Sequence, residues 1–419
     1  MKRELVRNRE VGIKSGRSAS YYFALWSISA KLVMDFFVPA RDLNFFVFNG
    51  LLVALFLLLR PRLYLGRRGV ALFVVASTFF AALALKDGGN SIIFKIASLP
   101  VLVVVFFSIG RGLSEAAVKR LFKILFVEFI VCFLLNYVLS VATGLIRSRE
   151  FWNFEHANLL GSYVLVMLVP TSYLLYQLSN SKGRIIGFVL VLMAYLSTST
   201  GAFLLSLSVF FKAKNLAFKN IMIILLSIIF VIIAGLALLS IADPMTYDKI
   251  AAPFKLINSG GWDRLVGEAR NGGGITYLAA DQQGSFTWRA YAYLVYGFFI
   301  AGETWDRFIF GNGVGGYEIV WGGAMPHNDF ILILTDFGFL FFIVWVSFCG
   351  WLLVKVWREY PQWFAVVVAF IFRLLCENNI YSYYVASIGC VIFSLIFGAI
   401  TRASRERGAV RAQASRAVA

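Results

Sequence analysis

The sequence contains very few of the side chains that bind metals or form disulfides. It has four cysteines and two histidines, and the histidines, His156 and His327, are too far apart for a short ligand motif such as His-x-x-x-His. No Asp-x-Asp triplet occurs, so the usual signature of a metal-bound sugar nucleotide is missing. Each cysteine lies singly in an apolar stretch, where it behaves as a small hydrophobic side chain. We therefore expect no metal, haem or other cofactor and no disulfide framework.

Long polar stretches are also rare. Hydrophobic residues make up 60% of the sequence, aromatic residues 17%, and the mean hydropathy is +0.79. The apolar residues fall in repeated runs of about 20, the length at which an α-helix crosses the hydrocarbon core of a bilayer. We predict an all-α integral membrane protein with about 12 transmembrane segments, two of them short. They are placed at 20–40, 43–59, 69–85, 91–109, 124–143, 157–178, 185–199, 201–211, 220–241, 337–354, 362–379 and 380–400.

The positive charge is concentrated on one side of the predicted membrane. The net charge is +17, which in a soluble protein would suggest binding to nucleic acid. The segments assigned to the cytoplasm contain 26 Lys and Arg against 5 Asp and Glu, and the external segments contain 10 against 14. This distribution follows the positive-inside rule. We therefore predict a multi-pass inner-membrane protein, with both termini in the cytoplasm and with membrane lipids rather than nucleic acid as partners.

The stretch 184–211 can be interpreted as one long helix or as two short ones. A single span would place Lys212, Lys214 and Lys219 outside and would reverse the side of every later loop. A break at Ser197-Thr198-Ser199-Thr200-Gly201 avoids this, but each half is then too short to cross the bilayer comfortably. We predict a hairpin that dips into the membrane, with its polar break facing a cavity.

One large loop separates the ninth and tenth spans. We divide the chain into a membrane domain (1–241), a large periplasmic loop (242–336), the last three spans (337–400) and a basic cytoplasmic tail (401–419). Within the loop, residues 288–301 are nearly apolar enough to span the membrane, but the stretch is too short and contains a charged residue. We predict an amphipathic helix in the outer interface. Its expected anchors are Trp288, Tyr291, Tyr293 and Tyr296.

Both histidines fall at the predicted outer face of the membrane. His327 follows Pro326, which suits the first position of a helix, so we place His327 in the first helical turn. There the helix dipole favours the neutral imidazole, which can accept a proton, and free N–H groups can bind an anion such as phosphate. The alternative, for His327 and still more for His156, is an interfacial polar side chain without a chemical role.

Charged residues near the membrane suggest two further roles. Arg147, Arg149 and Arg289 stand next to outer membrane faces, where a guanidinium group can contact a lipid-linked diphosphate in a bidentate manner. Anchoring to lipid headgroups is the alternative. Two pairs within predicted spans are four residues apart, as partners on a helix are, so we interpret them as structural pairs. A proton relay or a substrate path is the alternative for these pairs, Lys31 with Asp35 and Arg373 with Glu377.

Four short blocks of this sequence resemble one known family. His327-Asn328-Asp329-Phe330, followed by Gly338, is similar to the His-Asn-x-x-Leu…Gly signature of the O-antigen ligase and polymerase superfamily. Arg289 with Phe310-Gly311-Asn312-Gly313 resembles its Arg…Leu-Gly-x-Gly stretch. His156-Ala157-Asn158-Leu159-Leu160-Gly161 resembles its His-Pro-Asn-x-x-Gly block, and Thr198-Ser199-Thr200-Gly201-Ala202 its Thr-x-Ser-Arg-Gly-Ala block. The chain departs from the family pattern at three positions, Ala157, Thr200 and Phe341, where proline, arginine and glycine are usual.

The resemblance implies a GT-C-like membrane glycosyltransferase that acts on undecaprenyl-diphosphate-linked oligosaccharide at the periplasmic face. It implies that Arg289 helps to hold the diphosphate leaving group, that His327 positions or activates the acceptor hydroxyl, and that no metal is needed. It further implies substrate-binding residues, which would be Arg147, Arg149, His156, Asn158, Asn328 and Asp329.

Three functions remain open at this point. The first is a polymerase that transfers a growing chain onto a new lipid-linked repeat unit, and it is favoured because His-Asn-Asp-Phe looks more like polymerase members of the family. The second is a ligase that transfers the finished polysaccharide to lipid A core. The third is a transporter or flippase for lipid-linked sugars, against which the long loop argues. A chain-length regulator or a flippase is the expected protein partner of the enzyme.

Overall fold

The structure, a computed structural model, is built from α-helices. It describes residues 2–38, 41–64, 74, 91–148, 150–154, 156–175, 180–210, 244–272, 285–320, 325–359 and 363–418, and no β-strand occurs in these ranges. Short 3₁₀ turns lie at Leu145–Ser148 and Leu207–Phe210. The helices are α1 (Lys2–Phe37), α2 (Arg41–Leu59), α3 (Ser91–Gly112), α4 (Glu115–Ala142), α5 (Ala157–Leu175), α6 (Asn180–Leu196), α7 (Thr200–Ser206), α8 (Pro244–Asn258), α9 (Gly261–Asn271), α10 (Ser285–Gly302), α11 (Trp305–Phe310), α12 (Tyr317–Val320), α13 (Asp329–Glu359), α14 (Phe364–Cys376) and α15 (Tyr383–Val418).

Several of these helices have the length and composition of membrane spans. Within the described ranges, four are long and apolar enough to cross a membrane: Ile93–Gly112, Glu115–Ala142, Asp329–Arg358 and Tyr383–Arg402. Shorter apolar helices also coincide with predicted spans, at Leu43–Leu59, Ala157–Pro170, Ile185–Leu196 and Phe364–Cys376. The predicted spans 69–85 and 220–241 lie outside the described residues. The helical class and the membrane-spanning character are thus supported, whereas the number of spans and the GT-C-like fold stay predictions.

The chain divides into two compact units, of which the first comprises Met1–Phe210 and Asn379–Ala419. In this unit α3 and α15 approach so closely that their crossing requires glycine. A Cβ atom on Gly110 would lie 2.1 Å from the carbonyl oxygen of Leu395, and one on Gly398 would lie 2.1 Å from that of Phe107. Small residues at such crossings are typical of membrane helices, because close packing replaces the hydrophobic effect as the source of association.

A buried charge cluster links four helices of the first unit. Lys31 and Asp35 of α1 form the predicted ion pair and are fully buried. The Asp35 carboxylate also accepts hydrogen bonds from Asn44 Nδ2 at 3.2 Å and from the Tyr163 hydroxyl at 2.9 Å. The structural pairing is therefore confirmed, and it extends from α1 to α2 and α5. The Lys31 ammonium group also lies within 4.6–5.5 Å of the ring centroids of Phe48, Tyr383 and Tyr384.

The predicted break after Leu196 is present. Helix α6 ends there and α7 begins at Thr200. Thr198 adopts a positive φ of 55°, and the Ser199 hydroxyl caps α7 by accepting a hydrogen bond from the backbone N–H of Ala202. Helix α7 has 7 residues, or about 10 Å of helix, which is too short to cross a bilayer. Its entry into the membrane as a hairpin stays a prediction.

The second unit, Phe211–Asn378, contains the helix predicted at 288–301, which extends over α10. The prediction that Tyr291 and Tyr296 anchor this helix in the membrane interface is wrong, because both side chains are fully buried. They occupy the face of α10 that the neighbouring helices of the unit cover, so protein rather than lipid surrounds them. The small core formed there by α8, α9 and α10 consists of Leu256, Leu265, Ala269, Tyr291 and Val295.

Candidate functional site

The N-terminus of α13 determines where His327 lies. The Asn328 side-chain oxygen accepts hydrogen bonds from the backbone N–H groups of Phe330 at 2.9 Å and Ile331 at 3.1 Å. This is the geometry of an N-cap, so the helix begins at Asp329. The prediction that His327 lies in the first helical turn is therefore wrong, because asparagine rather than the preceding proline sets the helix start. The cap also engages two of the N–H groups that we expected to be available to an anion.

His327 itself has an unusual backbone conformation. Its φ is +51°, in the left-handed region that costs a residue with a side chain about 1–2 kcal/mol. The next backbone N–H, that of Asn328, donates to the Asn378 side-chain oxygen at 3.0 Å. The His327 side chain is 36% exposed. Strained residues of this kind persist when their surroundings hold them, and they are concentrated at functional sites.

One buried carboxylate joins the two residues predicted to be catalytic. Glu377 Oε1 lies 2.6 Å from Arg289 Nη2, and Glu377 Oε2 lies 3.3 Å from His327 Nδ1. A second guanidinium group, that of Arg373, lies 3.9 Å from Glu377 Oε1. The Glu377 side chain is 5% exposed and that of Arg289 is 25% exposed. The structure thus brings Arg289 and His327 to the two oxygens of one carboxylate, an arrangement that was not predicted.

The end of α14 explains how Glu377 reaches three partners. The helix stops at Cys376, and Glu377 is in an extended conformation with φ −152° and ψ 157°. Its backbone therefore departs from the helix directly after Cys376. The predicted pair of Arg373 with Glu377 exists, but at 3.9 Å it is the longest of the three contacts. Glu377 is thus a centre shared by several side chains rather than half of an isolated helical pair.

Helix α10 is fastened to the end of α14 by two side chains one turn apart. Arg289 Nε donates to the backbone oxygen of Cys376 at 3.3 Å, and the Tyr293 hydroxyl donates to that of Leu375 at 2.8 Å. Burial raises the pKa of Tyr293, so its phenol stays protonated and remains a donor at neutral pH. These contacts fix the guanidinium group of Arg289 beside Glu377.

The glycine-rich loop after α11 packs against a break in α13. Gly311 and Gly338 both have positive φ, of 79° and 76°. A Cβ on Gly311 would lie 2.3 Å from the backbone oxygen of Asp336, and one on Gly338 would lie 2.3 Å from that of Ile309. Only glycine fits at either position. Two of the blocks that carry the family resemblance are therefore in direct backbone contact.

The same loop encloses the carboxylate of Asp336. The backbone N–H of Gly315 donates to Asp336 Oδ2 at 3.2 Å, and that of Tyr317 donates to Oδ1 at 3.1 Å. The Asp336 side chain is buried. Two backbone N–H groups of the loop that could bind an anion are thus directed at a carboxylate of the chain itself. This contact holds the loop against the break in α13.

Asn328 and Asp329, predicted to bind substrate, have local roles in the structure. Both side chains are buried. Asn328 caps α13, and Asp329 is the first residue of that helix, where a negative charge interacts favourably with the helix dipole. Direct contact of either residue with a substrate stays a prediction.

In the first unit the other two blocks of the resemblance also pack together. The Ser199 hydroxyl donates to the Asn158 side-chain oxygen at 2.9 Å. A Cβ on Gly161 would lie 2.6 Å from the Cβ of Ala202, so this contact again depends on glycine. His156 is exposed and lies just before α5. The structure therefore brings Asn158 to the break before α7, and it leaves the predicted binding roles of Asn158 and His156 as predictions.

Two further arginines, Arg147 and Arg149, were predicted to contact phosphate. Arg147 lies in the 3₁₀ turn Leu145–Ser148, whereas Arg149 lies outside the described residues. Both roles stay predictions.

Glu377 is the residue that the sequence reasoning missed as part of the site. Its sequence signal was an acidic residue at the end of an apolar helix, one turn after an arginine. That signal correctly indicated a paired charge. It did not reveal partners 50 and 88 residues away in sequence, His327 and Arg289.

Among the described residues, no group of three His, Cys, Asp or Glu side chains is placed to hold a metal ion.

Comparison with known proteins adds no independent assignment. No protein-family model matches the chain, and no curated protein matches it either. The resemblance therefore rests on the four sequence blocks, each of which the structure packs against another.

Proposed function

We propose that this chain is a membrane glycosyltransferase that polymerises undecaprenyl-diphosphate-linked oligosaccharide repeat units at the periplasmic face of the inner membrane, for O-antigen or exopolysaccharide. The observation that carries the proposal is the convergence of Arg289 and His327 on Glu377. A guanidinium group suits a diphosphate leaving group, and an imidazole suits an acceptor hydroxyl. The proposal combines this convergence with the sequence resemblance.

The proposed reaction forms one bond and breaks one. The hydroxyl oxygen of the acceptor sugar attacks the anomeric carbon of the donor, and the bond from that carbon to the diphosphate oxygen breaks. Undecaprenyl diphosphate leaves with the bonding electrons, and Arg289 stabilises the charge that develops on it. The hydroxyl proton passes to His327, or to the leaving diphosphate if His327 only orients the hydroxyl.

A ligase that transfers the finished chain to lipid A core would use the same groups, since only the acceptor differs. Purified full-length protein incubated with lipid-linked repeat units distinguishes the functions. A ladder of products supports the polymerase. A single capped product, formed when lipid A core is supplied, indicates the ligase, and the absence of any new glycosidic bond indicates a transporter.

Two variants make this experiment specific to the site. His327→Ala should abolish the ladder, since general-base catalysis contributes about 10²–10⁴-fold. The matched control is Arg264→Ala, which removes an exposed side chain of α9 and should leave the ladder intact. A normal ladder from folded His327→Ala protein would remove this histidine from the mechanism.

The periplasmic placement of the site requires a separate test. We propose that position 214 faces the cytoplasm and position 281 the periplasm, as the charge distribution predicts. Single cysteines at these two positions should react with a membrane-impermeant thiol reagent from opposite sides. Labelling of both from the same side would contradict the topology and the hairpin at 197–201.

A further inference from the structure

We propose that Glu377 is a positioning residue for His327, which holds the proton of the neutral imidazole on Nδ1 and so leaves Nε2 as the nitrogen that accepts a proton. This inference rests on the proposed function and adds a residue to the site. The sequence resemblance assigns no role to Glu377, and the sequence pattern indicated only a structural pair. Its basis is the set of contacts made by residues 377 and 378.

The hydrogen-bonding capacities of the two side chains determine which imidazole nitrogen carries the proton. An ionised carboxylate can only accept hydrogen bonds, whereas a neutral imidazole has one nitrogen that donates and one that accepts. Glu377 Oε2 lies 3.3 Å from His327 Nδ1, so Nδ1 must be the donor and Nε2 the acceptor. The guanidinium groups of Arg289 and Arg373, at 2.6 and 3.9 Å from Oε1, favour the ionised carboxylate.

The backbone beside the imidazole is also held in place. While Glu377 contacts the His327 side chain, its neighbour Asn378 accepts the backbone N–H of Asn328 at 3.0 Å. Glu377 thus holds the side chain of His327, and Asn378 holds the backbone N–H of the next residue, Asn328. His327 is kept at a φ of +51°, a conformation that needs such support. The imidazole is therefore fixed by its ring contact and by its own backbone.

Two other roles for Glu377 make different predictions. It could balance the charges of Arg289 and Arg373 and have no influence on His327. It could also occupy the place of a substrate phosphate and be displaced when the donor binds. Neither role requires a particular proton position on the imidazole, so the tautomer of His327 distinguishes them from the positioning role.

The tautomer can be measured directly because the chain has two histidines. We suggest ¹⁵N-histidine NMR on the full-length protein in nanodiscs, at a pH where the imidazole is neutral. The His327 signal is the one that persists in His156→Gln. We expect the wild-type proton on Nδ1, and a shift of the proton towards Nε2 in Glu377→Gln and Glu377→Ala. A wild-type proton on Nε2 overturns the proposal without the use of any variant at position 377.

Kinetics then tests whether the contact matters for transfer. We expect Glu377→Gln to lower kcat by at least about tenfold, and we expect a smaller loss from the same change in a His327→Gln background. Equal losses in the two backgrounds would overturn the positioning role. Unchanged kcat together with tighter binding of undecaprenyl diphosphate would also overturn it, in favour of an occupied phosphate site.

The two proposals fail in distinguishable ways. If the wild-type protein makes no glycosidic bond but His327 carries its proton on Nδ1 and loses it on substitution of Glu377, the proposed function is wrong and the positioning contact stands. If the ladder forms but the tautomer is the other one, the proposed function stands and the inference about Glu377 is wrong.

Discussion

Replacement of Arg289 is predicted to lower both stability and activity, and the two losses can be separated. Arg289 makes a charged hydrogen bond of 2.6 Å to the buried Glu377 carboxylate and a longer one to the backbone oxygen of Cys376. Removal of one partner of a fully buried ion pair costs about 3–5 kcal/mol. Here Glu377 keeps two other contacts, to His327 and Arg373. We therefore expect Arg289→Ala to lower the free energy of unfolding by about 1.5–3 kcal/mol, the range of one hydrogen bond to a charged group.

The expected loss of activity has a different origin. A preorganised contact that strengthens as charge develops on the leaving group is worth about 2–4 kcal/mol, or roughly 30- to 1000-fold in rate. Arg289→Lys keeps a positive charge near Glu377 but loses the planar fork that matches a phosphate. We expect this variant to be destabilised by less than Arg289→Ala and still to lose at least about tenfold in kcat.

The assay pairs thermal unfolding with the rate of polymerisation, measured well below the unfolding temperature of the least stable variant. The control is Arg264→Ala, an exposed arginine of the same unit, which should be neutral in both measurements. Full activity in Arg289→Lys or Arg289→Ala would eliminate the contact with the diphosphate. Unchanged stability in Arg289→Ala would instead show that the pair with Glu377 does not form as the structure has it.

Other perturbations test the supporting structure. His327→Gly relieves the positive φ of +51° and should be more stable than His327→Ala by about 1 kcal/mol, with both inactive; equal melting temperatures would refute the strain. Gly338→Ala places a Cβ 2.3 Å from a backbone oxygen at positive φ and should cost at least about 1–3 kcal/mol. Gly297→Ala, in open space within α10, should instead be neutral or stabilise by up to about 1 kcal/mol in the same melt. Lys31→Met leaves the Asp35 carboxylate buried and should cost about 3–5 kcal/mol, and the double variant with Asp35→Leu should cost less; a larger loss in the double variant would contradict this.

Several features could be predicted from the sequence because local interactions determine them. Apolar runs of helical length predicted the long apolar helices, since hydropathy and helix length are properties of a continuous segment. The polar cluster at 197–201 predicted the break between α6 and α7, because serine and threonine compete for backbone hydrogen bonds and favour caps. The pair of Lys31 and Asp35 followed from their spacing on one helix.

Other features were decided by contacts between distant segments. The pattern of α10 indicated a helix with aromatic side chains on it, but it did not indicate whether lipid or protein covers them. Neighbouring helices bury Tyr291 and Tyr296. The sequence also placed a helix start at Pro326, whereas in the structure the side chain of Asn328 sets a later start by capping two N–H groups.

The amino-acid sequence by itself thus predicted the all-helical class, the apolar helices long enough to span a membrane and the break between α6 and α7, and it singled out Arg289 and His327 as candidates. The tertiary structure decided that Arg289 and His327 share the carboxylate of Glu377, which lies 88 and 50 residues from them in sequence. A period of 3.6 residues relates side chains within one helix. The meeting of three side chains from α10, from the segment before α13 and from the end of α14 depends on how those segments pack, which no local pattern encodes.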